Sequence, residues 1–396
     1  MSPMIWLVLI IFLVGLILIM RFMQRKQVVT IQIIPKILPE GDKVYIVGNH
    51  DLLGSWMPEL VPLEKQDDGS WCRQFLLRRN SKLEFKITRG SWHTEAADAE
   101  GKVLPNFTAT VNSDKKLTLH IENWRDLALS ENEENGRIVE SKPEDRITGT
   151  VKFHRKFKAK GLQPRDIIVW LPLSYDDASE NRYPVLYMHD GQNIFDPVTS
   201  YTGVDWEADE TATDLIEEGK IREIIIVGIY NTPERLEEYS ASPKGKLYRE
   251  FIINELKPLI DKIYRTLPGR EHTATIGSSM GGLVSFLLAW NHPEVFSMAG
   301  CLSPSFIFRK NQAIKLLKRS KPPQSPLRIY MDCGGIGGER LLHKGCKKVL
   351  RILRNKGICE GKDFRFSFYK KANHSETAWA ERLWRHLVFI FDKTNR

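Results

Sequence analysis

The chain has 396 residues, of which 42% are hydrophobic, 27% charged and 10% aromatic, and this composition excludes a disordered, collagenous or disulfide-framework protein. A formal net charge of +9 allows attraction to acidic surfaces but does not by itself indicate nucleic-acid binding. Five cysteines, an odd number with no C-x-x-C pair, argue against a disulfide scaffold and against a zinc site. The length predicts about two domains.

The chain begins with an uncharged apolar run from Met4 to Met20, close to the roughly 20 residues that a helix needs to cross a bilayer. No basic residue precedes the run and no small-residue cleavage site follows it, which favours an anchor over a signal peptide. We therefore predict a transmembrane helix over residues 4–23 and a single-pass membrane protein. The basic residues that follow the run favour a cytoplasmic C-terminal part, and the side of the membrane stays open.

Short β-type runs broken by turn signals fill residues 28–125. They are VVTIQII, KVYIVGN, SWCRQFLL, KLEFKIT and KLTLHI, and they predict an all-β, immunoglobulin-like sandwich. Residues 126–146 lose aromatic side chains and gain acidic ones, which is typical of an exposed linker.

Strand-like runs alternate with amphipathic helical stretches from residue 147 to residue 396. The predicted helices cover 246–265, 281–292, 342–355 and 376–391. Such alternation predicts a mostly parallel sheet with helices on both faces, which is an α/β fold.

The strongest motif is G-x-S-x-G, formed by Gly277, Ser279 and Gly281 between an apolar strand and a helical run. The glycines permit a strained turn that points the serine hydroxyl out of the sheet, so Ser279 is the predicted nucleophile. Because a serine hydroxyl alone is a poor nucleophile, a base and an acid must follow. His374, which lies between a strand and the last helix, is the predicted base.

Two carboxylates compete for the role of the acid. Glu339 lies on the loop beyond the strand LRIYMD and is preferred, whereas Asp332 ends that strand and is the alternative. The oxyanion formed in acyl transfer needs prearranged N–H donors. We expect these from Met280, the residue after the nucleophile, and from Gln192 in the turn after PVLYMHD.

From about Arg146 to the C-terminus, the chain resembles an esterase family of α/β-hydrolases that includes enterochelin, feruloyl and acetyl-xylan esterases. The residues that carry the resemblance are VLYMHDGQNIFD, IVGIYNT, IGSSMGG, CLSPSF and ANHSETAW. The resemblance implies an α/β-hydrolase fold, a serine nucleophile, a histidine base and a carboxylate, at Ser279, His374 and Glu339. It implies no metal and no organic cofactor. The longer glycine-rich loop before Glu339 departs from the family pattern.

The N-terminal β region resembles the starch-binding domain family, through GNHDLLGSW, LEFK and GSW. This resemblance implies two tryptophans that stack on a sugar ring beside a lysine, at Trp56, Trp92 and Lys86. In the alternative interpretation, the tryptophans belong to the core and the module only packs against the catalytic domain.

The sequence thus predicts a membrane-anchored serine esterase that acts on a carboxylic ester, with an acylated carbohydrate as the substrate. The alternatives are an acyltransferase that uses a sugar or lipid acceptor, and a siderophore esterase. The expected partners are the ester substrate, a glycan and, through the N-terminal helix, a membrane; no nucleic acid is expected.

Overall fold

The computed structural model of the protein describes residues 26–54, 58, 60–91, 94–127, 146–177 and 180–393. The chain divides into two units, Met1–Val139 and Glu140–Arg396. Most of the predicted linker, residues 128–145, lies outside the described residues.

The described part of the N-terminal unit is built mainly of β-strands. They are β1 (Lys26–Pro35), β2 (Tyr45–Gly48), β3 (Glu64–Lys65), β4 (Trp71–Arg78), β5 (Lys82–Thr88), β6 (Ala96–Ala97), β7 (Phe107–Thr110), β8 (Lys115–Ile121) and β9 (Asn123–Trp124). They form sheets in the orders β3-β4-β1-β8, β2-β5-β7 and β6-β9. Alternate residues of β1 (Val29, Ile31 and Ile33) point into the core, as expected for a strand with one buried face.

The C-terminal unit contains an eight-stranded sheet. Its strands are β10 (Thr150–Phe157), β11 (Arg165–Leu171), β12 (Val185–His189), β13 (Ile225–Ile229), β14 (Thr273–Ser278), β15 (Met298–Leu302), β16 (Arg328–Gly334) and β17 (Phe364–Tyr369). The order is β10-β11-β13-β12-β14-β15-β16-β17. The two pairings that involve β11 are antiparallel and the other five are parallel, so the carboxyl ends of the six parallel strands meet at one edge.

The helices of this unit differ in detail from the prediction. They are α1 (Ala208–Glu217), α2 (Arg235–Glu238), α3 (Pro243–Phe251), α4 (Lys257–Ile263), α5 (Met280–Asn291), α6 (Phe308–Arg319), α7 (Glu339–Asn355) and α8 (Glu376–Phe391). A π-helical turn, Ile252–Leu256, separates α3 from α4 where one helix was predicted. Residues 309–311 of α6 have left-handed φ angles, so the regular part of that helix starts after them.

The predicted transmembrane helix and the single-pass membrane localisation are not supported. In the part of the chain that the structure describes, no helix combines the length and the apolar character needed to cross a bilayer. The segment 4–23 itself lies outside the described residues. We therefore correct the predicted fold to a mixed α/β unit with an N-terminal β unit.

Candidate active site

Ser279 lies at the tight turn between β14 and α5. Its backbone has φ 53° and ψ −114°, a conformation that an L-residue adopts only under strain. Gly277 permits this turn, because a Cβ atom there would lie 2.7 Å from the carbonyl carbon of Gly281. The turn leaves the serine side chain partly exposed, with its hydroxyl oxygen 3.1 Å from Ser305 Oγ.

His374 lies in the loop between β17 and α8. Its Nδ1 is 2.8 Å from Oε1 of Glu339, which is the first residue of α7. The Trp379 ring meets the imidazole edge-to-face, with the ring centroids 4.8 Å apart. In the described part of the chain, His374 makes no hydrogen bond with Ser279, and apo sites commonly close this contact only when substrate binds.

The Glu339 carboxylate is fully buried, and its Oε2 accepts a hydrogen bond from the Gly334 N–H at 2.7 Å. Burial raises the pKa of Glu339, but the hydrogen bond and charge of His374, with hydrogen bonds from Cys333 and Ser303, lower the pKa to about 2. Glu339 is therefore ionised at neutral pH and can hold the imidazole of His374 in one orientation.

Asp332, the alternative acid, is equally buried, and its carboxylate contacts residues of α8. Its Oδ2 accepts a hydrogen bond from Arg382 Nε at 3.0 Å and lies 3.1 Å from Nε2 of His386. Both partners lie on α8, and all three side chains are buried. Glu339 is thus the carboxylate that contacts His374, whereas Asp332 is the carboxylate that contacts Arg382.

Ser303, in the loop after β15, connects these two groups. Its hydroxyl oxygen accepts from Trp379 Nε1 at 3.4 Å and from Arg382 Nη2 at 3.3 Å, which uses both lone pairs. The single hydroxyl proton remains for the Glu339 carboxylate. Two residues later, Ser305 contacts Ser279. One loop therefore touches both the serine turn and the carboxylate.

The two predicted oxyanion donors occupy short helical turns. Met280 is the first residue of α5, so its N–H has no partner within that helix. Gln192 lies in the 3-10 turn Gly191–Asn193, and its Oε1 accepts a hydrogen bond from the Asn231 N–H at 3.2 Å. Gly191 is required here, because a Cβ atom would lie 2.6 Å from the carbonyl carbon of Gly228.

A buried ion pair that the sequence analysis missed holds this turn. Asp190 accepts hydrogen bonds from Arg235 Nε at 2.6 Å, from Arg235 Nη2 at 2.7 Å and from Asn231 Nδ2 at 2.6 Å. Burial raises the pKa of Asp190, but the charge of Arg235 and the hydrogen bonds from Arg235 and Asn231 together outweigh this effect and lower the pKa. The partners are 45 residues apart in the sequence, and no local pattern marks them.

We expect Arg235→Met to destabilise the fold by about 3 kcal/mol, because it leaves the Asp190 charge buried and only partly compensated. The matched control is Arg155→Met. Arg155 pairs with Asp166 but is 52% exposed, so its loss should cost less than about 1 kcal/mol. Urea unfolding of both variants measures the difference, and equal costs would contradict a structural role for the buried pair.

The predicted carbohydrate-binding residues are only partly described. Trp56 and Trp92 lie outside the described residues. Lys86 Nζ lies 2.8 Å from Glu95 Oε2, and only 15% of the lysine side chain is exposed. The lysine is therefore held in an ion pair within the β unit.

Asp205, Asp209 and Glu210 place three carboxylate oxygens within 4.8 Å of one another near the start of α1. Such a group can hold a metal ion. Burial, together with the neighbouring Glu210, raises the pKa of Asp209 to about 8. A proton on Asp209 at neutral pH thus explains, without a metal ion, how the three carboxylates can lie so close together.

Comparison with solved structures shows the same fold in known esterases. A ferulic acid esterase aligns with a TM-score of 0.50 at 22% identity, covering 62% of this chain and 98% of that chain. The enterobactin esterase FES from Shigella flexneri aligns with a TM-score of 0.53 at 14% identity, covering 88% of this chain and 87% of that chain.

Among curated proteins, the uncharacterized protein YbbA of Bacillus subtilis (strain 168) is 24% identical over 249 residues, which is 58% of this chain and 93% of YbbA. An endo-1,4-beta-xylanase/feruloyl esterase of Xylanibacter ruminicola is 30% identical over 197 residues, which is 48% of this chain and 25% of that protein. Residues 27–120 match the starch binding domain family. Residues 162–390, more than half of the chain, match the family described as "Putative esterase". The chain therefore belongs to this esterase family and is a carboxylic ester hydrolase.

Proposed function

We propose that the chain hydrolyses esters through an acyl-enzyme formed on Ser279, with His374 as the base and Glu339 as its orienting acid. The observation that carries the proposal is the 2.8 Å hydrogen bond between His374 and a buried, ionised Glu339. A strained serine turn linked to the same carboxylate through the loop after β15 gives further support.

In the proposed reaction, Ser279 Oγ attacks the ester carbonyl carbon while His374 Nε2 takes the hydroxyl proton. The N–H groups of Met280 and Gln192 stabilise the oxyanion. The bond to the alcohol oxygen then breaks, and His374 delivers the proton to that oxygen. Water attacks the acyl-enzyme, gives its proton to His374 and releases the carboxylic acid, and Ser279 regains its proton.

We further propose an acylated carbohydrate as the substrate. Two similarities support it, the starch binding domain match over residues 27–120 and the relative named as a xylanase/feruloyl esterase. In this proposal, Trp56 and Trp92 of the β unit stack on sugar rings. Lys86 contributes through the N–H groups that Glu95 leaves free.

A siderophore ester is the second candidate. It is supported by the enterobactin esterase likeness, which covers 88% of this chain. An acyltransferase would use the same residues but pass the acyl group to an acceptor alcohol in place of water.

The test is hydrolysis by the full chain of p-nitrophenyl acetate, feruloylated arabinoxylan and enterobactin. We expect release of p-nitrophenol and of ferulic acid, with kcat/KM for the glycan ester at least tenfold above that for enterobactin. Preference for enterobactin would overturn the carbohydrate assignment. A new ester that forms when an acceptor sugar is added would identify an acyltransferase.

A further inference from the structure

A cationic groove lies between α7 and the strand β17, which is the last strand at one edge of the large sheet. Its volume is about 400 Å³. The lining includes Lys347, Arg351, Arg354 and Asn355 of α7, with Phe366 of β17 on the other side. We call this feature the α7–β17 groove.

The charge around the α7–β17 groove is strongly one-sided. Residues 309–321 and 340–371 together contain 17 Lys and Arg against 2 Asp and Glu, so this region exceeds the net charge of +9 of the whole chain. The rest of the chain is net negative. In the described residues Arg354 pairs with Glu360 at 2.5 Å, but Lys347 and Arg351 have no ion-pair partner. A large field of one sign favours a polyanionic partner.

The rings of His343 and Phe366 line the same groove, and Phe368 lies next to them on β17. The His343 ring stacks on Phe368, with centroids 4.0 Å apart and an interplanar angle of 15°, and is nearly parallel to Phe366 at 5.9 Å. Phe368 is 45% exposed. Burial and the charge of Lys347 lower the pKa of His343, which favours the neutral ring. Flat apolar rings beside guanidinium groups suit a pyranose ring that carries a carboxylate.

The α7–β17 groove also leads towards the candidate active site. Helix α7 begins at Glu339, and His343 lies one turn further along the same helix. Strand β17 leads directly into the loop that carries His374. Over its 17 residues, α7 extends about 25 Å from the carboxylate, so a polymer along it can extend over several sugar units.

We propose that the α7–β17 groove binds a polysaccharide chain with carboxylate groups, a uronate-containing glycan, and holds it while an ester on that chain is hydrolysed. This inference rests on the proposed function, since the ester and the bound sugars belong to one substrate. The starch binding domain match favours a glycan over the other polyanions, nucleic acid and anionic lipid.

The test compares two double variants of the full chain that each remove two positive charges. Lys347→Gln with Arg351→Gln changes the groove, and Lys315→Gln with Lys318→Gln changes exposed positions on α6, which packs against α7. Isothermal titration calorimetry measures binding of polygalacturonate. We expect the groove variant to weaken binding at least tenfold and the α6 variant to weaken it less than threefold.

Activity separates this inference from the proposed function. Both variants should hydrolyse p-nitrophenyl acetate at the wild-type rate, whereas kcat/KM for acetylated polygalacturonate should fall at least tenfold only in the groove variant. An equal loss of polygalacturonate binding in the two variants would overturn the groove as a site. Tighter binding of a single-stranded oligonucleotide or an anionic vesicle, lost in the groove variant, would overturn the glycan. A wild type inactive on p-nitrophenyl acetate that still binds polygalacturonate through the groove would overturn the proposed function alone.

Discussion

Replacement of Ser279 by alanine is expected to lower kcat for p-nitrophenyl acetate by about four to six orders of magnitude. In the proposed mechanism, the hydroxyl oxygen forms the covalent bond to the acyl group, and alanine has no atom in its place. The N–H groups of Met280 and Gln192 remain, so a small residual rate above that in buffer is expected. Steady-state hydrolysis by the full chain measures the loss.

Ser305→Ala is the control for this variant. It removes the hydroxyl that lies 3.1 Å from Ser279 Oγ but has no chemical role in the proposed reaction. Its kcat should stay within about threefold of the wild type. A Ser279→Ala variant with substantial activity would show that the nucleophile lies elsewhere.

The backbone strain at the same position should also be measurable as a difference in stability between two inactive variants. Glycine adopts φ 53° and ψ −114° without steric strain, so Ser279→Gly is expected to be inactive yet more stable than Ser279→Ala by about 1 kcal/mol. Urea unfolding measures the difference. Equal stabilities would show that the serine turn stores no strain.

The turn at Ser279 could be predicted from sequence because its requirements are local. Two glycines, a serine and the flanking strand and helix all lie within a few residues of one another. The choice between Glu339 and Asp332 is different, because Asp332 lies in β16 and Glu339 lies in the segment that follows it, only a few residues further along the chain. It depends on Arg382 and on His374, which approach from other elements of the fold.

Features built from distant residues escape sequence reasoning for the same reason. The ion pair between Asp190 and Arg235 forms only when the loops after β12 and β13 meet. Helical periodicity predicted one helix over 246–265, but it does not detect the extra residue of a π-helical turn at Ile252–Leu256. Hydropathy predicted a transmembrane helix over 4–23. Among the described residues, no helix is long and apolar enough to cross a membrane.

Glu339→Gln is expected to lower kcat by about four orders of magnitude with little change in KM. In the folded protein, Oε2 accepts from the Gly334 N–H, so the remaining carbonyl of glutamine is expected to take that position. The amide NH₂ then faces Nδ1 of His374, which stabilises the tautomer with its proton on Nε2. That nitrogen can no longer accept the Ser279 proton.

The pKa of about 2 adds a pH test to this comparison. Glu339 stays ionised down to about pH 2, so its titration should not appear in the kcat profile of the wild type between pH 4 and pH 8. Folding lowers the pKa of Glu339 below its ordinary value of 4.5. The ionised carboxylate therefore stabilises the folded state at any pH above 4.5, and this stabilisation is lost as the pH falls towards 2. Two separate wild-type kcat steps between pH 4 and pH 8, where the histidine base alone accounts for one, would contradict the low pKa.

Asp332→Asn is the matched control, since it makes the same carboxylate-to-amide change at the other candidate acid, seven residues earlier in the chain. It removes the charge that compensates the buried Arg382, so we expect a loss of about 3 kcal/mol in the free energy of unfolding. Its kcat, measured well below the unfolding temperature, should stay within about tenfold of the wild type, because Ser303 still donates to Glu339. A larger fall in kcat for Asp332→Asn than for Glu339→Gln would make Asp332 the acid. The two variants therefore separate a carboxylate that orients the reacting histidine from one that holds Arg382 and His386 of α8.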